Sequence, residues 1–109
     1  MAISYVVTAR LSDYFKDSYL KAIEEANTGG TFKLPDDIAT SRDSHSQYMT
    51  ELSTDGKLYC AGPFDDFTGV LFIFENISRQ EVDEILNKDS HVKNGFIPDW
   101  EVKEWHHRF

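Results

Sequence analysis

The segment Gly69–Glu75, with the sequence GVLFIFE, most constrains how this chain can fold, because both faces of the strand it forms are apolar. Successive side chains of a strand point to opposite faces, so the even-numbered apolar residues share one face and Leu71 and Ile73 lie on the other. Helices of the same chain can cover one face. In a chain of 109 residues, the second face is expected to meet a second copy, packed sheet to sheet. We therefore predict a homodimer that associates through its sheet faces.

Strand and helix patterns alternate in the first half of the chain. A β-branched run predicts a strand over Ile3–Leu11. Apolar residues then follow helical spacing, with Ser12 placed to cap this first helix and Gly29 to end it. A second helix is predicted over Ser41–Thr54, with Thr40 as its cap in a capping box.

The second half contains a predicted hairpin, a helix and a last strand. KLYCAG and GVLFIFE are two strands joined by the loop PFDDFT. Ser78 and Glu81 form a capping box that starts a third helix, and Trp100 and Val102 alternate with charged residues in the strand DWEVKEW. This order predicts an α+β fold in one domain, residues 1–109. It is a ferredoxin-like β-α-β-β-α-β subunit with a four-stranded antiparallel sheet and an extra helix in the first crossover.

Charge and cysteine content exclude several functional classes. The chain has 19 acidic and 11 basic residues, a formal net charge of −8, so neither nucleic acid nor a membrane is an expected partner. It lacks a signal peptide and any apolar run near the roughly 20 residues that span a bilayer, so a cytoplasmic location is expected. Cys60, the single cysteine, can form no internal disulfide and is expected to be buried as a small hydrophobe.

His45 is the strongest catalytic candidate. Met49 and Leu52 follow it by four and seven residues, so it lies on the helix face expected to be buried. An imidazole exchanges protons near neutral pH, and a carboxylate from Asp89 or Asp43 can fix its tautomer. A core histidine that only packs and hydrogen-bonds is the alternative, and the residues leave both open. The substrate-binding candidates, on the same helix and in the strand exit AGPF, are Tyr48, Gly62, Pro63 and Phe64.

Other polar residues give weaker signals. His91, His106 and His107 raise the question of a metal site, but neighbouring strand residues point to opposite faces, and no metal is expected. Asp65 and Asp66, in the hairpin loop, are expected to face water. The sequence contains no phosphate-cradling glycine loop and no nucleophile elbow, so no cofactor is expected.

The order of several short motifs resembles a known family. HSQYM, which contains His45 and Tyr48, is followed by a Gly-Lys-Leu turn, AGPF, the Gly-led apolar strand, Asp89 at the end of the next helix, and NGF with WEVKEW. Each motif is weak alone. Their order and spacing over Ile3–Arg10 and Arg42–Trp105 resemble the YCII-related (YciI-like) domain family.

The resemblance implies a dimeric α/β barrel of ferredoxin-like subunits, with a site that pairs a helix histidine with an aspartate. His45 and Asp89 match those two positions. One relative is a dehydrochlorinase of chlorinated hydroxyquinols, and similar barrels include muconolactone isomerases. The chain departs from the family at Ser90 and His91, where Pro and an aromatic residue usually follow the aspartate. Its segment 12–41 is an extended first connection, which could cover the site, change its substrate or decorate the edge.

Two functions follow as hypotheses. The first is a cofactor-independent acid/base enzyme, a lyase or isomerase, in which His45 moves a proton on a small aromatic or lactone-like molecule in a dimer cleft. The second is a non-catalytic dimeric module that binds a small molecule or has a structural role, with His45 stabilising the packing. On the first hypothesis His45→Ala abolishes turnover and leaves a folded dimer, whereas on the second it destabilises the fold.

Overall fold

The computed structural model describes residues 2–108, which form four strands and four helices. In chain order these are β1 (Ala2–Arg10), α1 (Asp13–Asn27), α2 (Asp36–Thr54), β2 (Leu58–Pro63), β3 (Gly69–Phe74), α3 (Arg79–Lys88), α4 (Ser90–Lys93) and β4 (Asp99–His107). The strands make one antiparallel sheet in the order β2-β3-β1-β4. The α+β class, the four-stranded antiparallel sheet and the predicted order of elements are confirmed. The short helix α4 is an addition that the sequence did not predict.

Strand β3 is apolar on both faces and lies inside the sheet, between β2 and β1. Phe72 and Phe74 have no exposed surface, and Val70 is almost completely buried on the same face. Leu71 and Ile73 lie on the opposite face and stay partly exposed. The sheet therefore has one face in the core and an open face, with an apolar centre that no other element within residues 2–108 covers.

Helices α1, α2 and α3 pack against the first of these faces and complete a single core. Their buried apolar residues are Phe15, Ala22, Ile38, Met49, Leu52, Val82, Ile85 and Leu86. The indole of Trp100 donates a hydrogen bond of 3.1 Å to Asp83, which ties α3 to the edge strand β4 and lowers the pKa of that carboxyl. None of the helices in residues 2–108 has the length and apolarity needed to cross a membrane.

Helix α2 begins five residues earlier than its sequence pattern predicts, and the predicted cap at Thr40 is wrong. The helix starts after Pro35, whose ring favours the first turn of a helix and which provides no capping side chain. Asp36 and Asp37 place negative charge in that turn, where the helix dipole favours it. Ile38 is fully buried, so the additional turn is also held by the core.

Cys60 is exposed, so its predicted burial is wrong. Strand β2 is at the edge of the sheet, and its register with β3 shifts between Leu58 and Cys60. Past this irregularity Cys60 pairs with Ile73 on the open face, while Leu58 remains buried. A one-residue change of register moves a side chain to the other face of a sheet, and no sequence pattern here predicts such a shift.

Candidate active site

His45 lies on the inner side of α2 and is bonded to Asp89. Its Nδ1 atom is 2.7 Å from Asp89 Oδ1, and its side chain is 19% exposed. The carboxylate oxygen accepts this hydrogen bond, so Nδ1 of His45 is the donor and Nε2 of the neutral ring holds the lone pair. Asp43, the alternative carboxylate, is exposed on α2. The structure thus pairs His45 with the aspartate that the family resemblance implied.

Asp89 occupies the junction between α3 and α4. Its backbone is extended, which ends α3 and begins α4 at the same residue. The side chain has no exposed surface, and Oδ2 has no hydrogen-bond partner within residues 2–108. A buried carboxylate with one oxygen unpaired is costly for a fold, and the bond to His45 is the one hydrogen bond found for this side chain within residues 2–108.

His91 is a second histidine of the site, which the sequence analysis considered as a metal ligand and as a departure from the family motif. Its ring stacks on that of His45, with centroids 4.2 Å apart and planes 20° from parallel. Its Nδ1 atom is 2.7 Å from the hydroxyl of the buried Ser41. Burial, reinforced by the neighbouring His45, lowers the pKa of His91 to about 4, although the Asp89 charge opposes this. His91 is therefore a neutral imidazole at physiological pH.

One sequence signal could have identified this pair. Ser41 precedes His45 by four residues, within the predicted helix, and so lies on the same stripe of α2. On the family resemblance, His91 stands where an aromatic residue is expected after the aspartate, so it keeps a ring at that place and adds two nitrogens. Helix α4, which carries it, has four residues and no side-chain cap, so its pattern is too short to recognise.

Two cavities meet His45. The smaller, of about 260 Å³, is the more enclosed one and contains both histidines. Its remaining lining consists of Leu11, Phe15, Tyr19, Arg42, Ser46, Pro63, Phe67, Val70 and Ile97. The larger, of about 450 Å³, opens between α2 and β2 and includes Met49, Cys60, Gly62 and Pro63.

Aromatic side chains from α1 and from the hairpin loop cover the smaller cavity. The rings of Tyr19 and Phe67 stack with their centroids 5.0 Å apart. The rings of Phe15 and His91 meet edge to face, with their centroids 4.9 Å apart. Phe67 has a φ of 55°, in the left-handed region that bulky residues rarely adopt. The Asp66 carboxylate accepts hydrogen bonds from the amide and hydroxyl of Thr68, which hold the turn in that shape and lower the pKa of Asp66.

Arg42 brings positive charge to the same cavity. Its guanidinium carbon is 5.9 Å from the ring centroids of both Tyr19 and Phe32, which is cation–π distance. Burial raises the pKa of the Tyr19 hydroxyl, and the Arg42 charge opposes that rise. No ion pair to Arg42 forms among residues 2–108, so its charge is available to an anion.

Of the four predicted substrate-binding residues, two line the cavities at His45. Gly62 lines the larger cavity and Pro63 lines both. Tyr48 is half-buried in the core, where burial and the negative charge of Asp89 raise its pKa, and it lines neither cavity. Phe64 lies in a separate surface groove beside Gly69 and Trp100.

The remaining histidines lie away from this site. His106 and His107 are in β4; His107 is 3.0 Å from the Ser4 hydroxyl, and His106 is 3.4 Å from the Glu104 carboxylate. Among the residues that the structure describes, no three His, Cys, Asp or Glu side chains are grouped so that they could hold a metal ion.

Comparisons with known proteins agree with this architecture. The sequence profile of the YCII-related domain matches residues 18–106. No curated protein matches the chain. Among solved structures, 5-chloro-2-hydroxyhydroquinone dehydrochlorinase from Burkholderia phenoliruptrix, in complex with 2,5-dihydroxybenzoquinone, is 20% identical with a TM-score of 0.60, over 96% of this chain and 95% of that one. A protein from Agrobacterium tumefaciens is 16% identical with a TM-score of 0.49, over 95% of this chain and 91% of that one. With a profile match over most of its length, the chain belongs to the YCII-related domain family.

Proposed function

We propose that this chain is a cofactor-independent acid/base enzyme, a lyase or isomerase, that moves a proton on a small cyclic molecule. His45 is the base, and Asp89 orients its ring and stabilises the charge that it gains. The observation that carries the proposal is the 2.7 Å bond from His45 to a fully buried carboxylate, in a ring that also borders a cavity. A pair of this kind sets one tautomer and leaves the second nitrogen available for proton transfer.

The reaction steps follow from the tautomer. Nε2 of His45 takes a proton from a C–H or O–H bond of the substrate, and the resulting imidazolium keeps its Nδ1–H bond to Asp89. The electron pair left behind either expels a leaving group from a neighbouring carbon or shifts a double bond, after which the proton returns at another carbon. General acid–base catalysis of this kind contributes about 10²- to 10⁴-fold in rate.

The cavity supports a substrate with a single ring. Its volume of about 260 Å³ is below the roughly 300–1,000 Å³ of drug-sized sites. Phe15, Tyr19 and Phe67 provide ring faces, and Arg42 provides a cation. These features suit a hydroxylated ring or a lactone that carries negative charge during the reaction. The dehydrochlorinase that shares the fold was solved with a ring of this kind, which makes chlorinated hydroxyquinols the first compounds to test.

A sheet-to-sheet homodimer in a dimeric α/β barrel remains part of the proposal. Leu71 and Ile73 leave an apolar centre on the open face, and a second copy would bury it. A second copy packed on this face would cover the apolar centre of the sheet.

The alternative is a non-catalytic binding or structural module. It is favoured by the position of the His45–Asp89 bond, which links α2 to the junction of α3 and α4 and so could serve packing alone. Breaking a buried pair by removing one partner costs about 3–5 kcal/mol. On this alternative, variants of either residue lose stability and no reaction is found.

The test compares four variants in matched pairs. His45→Gln and Asp89→Asn change the proposed pair, while His106→Gln and Asp43→Asn make the same chemical changes at exposed positions. Each protein is assayed with chlorinated hydroxyquinols and lactones for chloride release and for exchange of substrate protons with deuterated water. We expect the first two variants to lose about 100-fold or more in rate, and the controls to match the wild type.

Thermal unfolding of the same four proteins separates the two functions. For an enzyme, the rate falls while the cooperative transition of the folded protein is retained. A wild-type protein without turnover, together with a sharply lowered melting temperature in His45→Gln, would support the structural alternative. Equal rates in His45→Gln and His106→Gln would refute the assignment of the base.

A further inference from the structure

The Ser41–His91 bond specifies which nitrogen of His91 carries its proton. Ser41 is 2% exposed, and its hydroxyl lies 2.7 Å from Nδ1 of His91, the one hydrogen bond found for that hydroxyl within residues 2–108. If Nδ1 carried the proton, the serine proton would be buried without an acceptor. If the serine donates instead, both groups are satisfied and Nδ1 is the acceptor. A neutral His91 then carries its single proton on Nε2.

The Nε2–H group of His91 is left for a ligand. His91 lines the smaller cavity, and its Nε2 has no hydrogen-bond partner among the residues that the structure describes. Its backbone is fixed, because its carbonyl accepts hydrogen bonds from the amides of Phe96 and Ile97, at 2.8 and 3.1 Å. The ring itself is held by the stacked His45 and by the edge contact with Phe15. The donor is therefore preorganised.

The two stacked rings have opposite roles toward the cavity. His45 has its proton on Nδ1, bound to Asp89, so its Nε2 is a base. His91 has Nδ1 occupied by Ser41, so its Nε2 is a donor. Because the ring centroids are 4.2 Å apart, one small ring can meet both.

We propose that His91 is a further catalytic residue, which donates a hydrogen bond from Nε2 to the substrate oxygen that becomes negative when His45 removes a proton. This inference rests on the proposed function and adds the substrate class: a ring in which the acidic C–H or O–H is conjugated with an oxygen. The C–H or O–H bond breaks, its proton forms an N–H bond on His45, and its electron pair moves to that oxygen as an enolate or phenolate. His91 keeps its own proton throughout.

The charges of the site agree with this role. A neutral histidine can hold its N–H toward an oxyanion without giving the proton up, and burial keeps His91 neutral, with a pKa of about 4. When His45 gains a proton, its positive charge opposes protonation of the ring stacked on it. Arg42 lines the same cavity and adds attraction for an anionic ring.

The first experiment reads the tautomer without any ligand. The ring nitrogens of His91 are observed by ¹⁵N NMR between pH 6 and 8, assigned with His91→Phe. We expect a protonated Nε2 and an unprotonated Nδ1, and a mixture of tautomers in Ser41→Ala. A proton on Nδ1 in the wild-type protein would overturn the inference. Because no turnover is measured, this result is independent of whether the proposed reaction is found.

The second experiment measures binding of an oxyanion. The probe is 4-nitrophenolate, followed by its absorbance at pH 8, and nitrobenzene is the neutral control of similar shape. His91→Phe keeps an aromatic ring without the donor, and His91→Gln restores an N–H donor. We expect His91→Phe to lose about tenfold in phenolate affinity and little in nitrobenzene affinity, with partial recovery in His91→Gln.

Three outcomes would count against the inference. They are equal losses for phenolate and nitrobenzene, no recovery in His91→Gln, and a wild-type protein that binds phenolate no better than nitrobenzene. Thermal unfolding of each variant confirms that the folded protein is compared. Failure of the proposed function appears elsewhere, as unchanged turnover in His45→Gln, so the two results are distinguishable.

Discussion

Asp89 is the fully buried acidic residue of the candidate site. Its carboxylate is fully buried, and one oxygen has no partner within residues 2–108. Replacing a buried ion pair as a whole by apolar residues often costs no stability, whereas removing one partner leaves the other charge buried and unpaired. A buried carboxylate beside a base is instead the arrangement that stabilises an imidazolium during proton transfer. On the proposed function, Asp89 has this role toward His45.

His91 makes the stability of the fold depend on pH. Its pKa is lowered from 6.5 to about 4 in the folded state, so between these values the unfolded chain binds more protons than the folded one. The free energy of unfolding therefore rises with pH across this window. The contribution of His91 to stability is lost as the pH falls from about 6.5 to about 4. Part of the shift is screened by solvent, so we expect a contribution of about 2 kcal/mol.

This contribution can be isolated by urea unfolding of the wild type and His91→Phe at pH 4.5 and pH 7.5. His106→Phe is the matched control, because that histidine is exposed on β4. The wild type is expected to lose more stability than His91→Phe on going to the lower pH, and His106→Phe is expected to behave like the wild type. Identical pH dependence in all three proteins would mean that His91 is not buried as the structure shows.

Among the helices and strands, α1 closes one side of the smaller cavity. Phe15 and Tyr19 come from this helix, and Tyr19 stacks on Phe67 of the hairpin loop. The Tyr14 hydroxyl donates to the Asp37 carboxylate at 2.9 Å, which joins α1 to the start of α2. Of the three roles that the sequence left open for segment 12–41, covering the site is the one that this geometry favours.

Removing the Tyr19 ring is expected to weaken ligand binding with little effect on the fold. A pair of aromatic rings contributes about 0.5–1.5 kcal/mol. If the ligand ring pairs with Tyr19, Tyr19→Ala should lose roughly two- to tenfold in affinity for 4-nitrophenolate. Leu20→Ala, an exposed neighbour on the same helix, is the control and should bind as the wild type does. Absorbance titration at pH 8 measures both. Unchanged binding in Tyr19→Ala would show that α1 only decorates the edge.

The limits of sequence-based prediction are also clearest for elements. The strands and long helices carry apolar periodicity, and the order predicted from it matches the order in the structure. Helix α2 starts five residues before its predicted start because Pro35 gives no capping side chain. Helix α4 is a single turn, so His91 had no recognisable context. His45 and Asp89 came together through the family resemblance, because 44 residues separate them and no local pattern links them.

In the molecule as a whole, the open face of the sheet has an apolar centre that one chain does not cover within residues 2–108. Val6, Leu71 and Ile73 form its apolar centre, since Val6 pairs with Ile73 and Thr8 with Leu71. Trp105, opposite Ser4 on the same face, is 45% exposed. Charged residues of β4 border this centre, and a polar rim around an apolar centre is typical of a protein interface.

We therefore expect a homodimer in solution, and a charge at the centre of the open face to separate it. Ile73→Glu places a carboxylate opposite Val6, where a second sheet would leave it buried and unpaired. Size-exclusion chromatography with light scattering should give twice the 12.6 kDa chain mass for the wild type and the single-chain mass for Ile73→Glu. Thr50→Glu, exposed on α2, is the control and should remain dimeric.

The dimer also predicts how stability depends on concentration. If unfolding is coupled to dissociation, the melting temperature of the wild type rises with protein concentration, whereas that of Ile73→Glu does not. Circular dichroism of both proteins establishes that the variant is folded before the masses are compared. A wild-type protein that is monomeric, with a melting temperature independent of concentration, would mean that the open face is left to solvent or to a different partner.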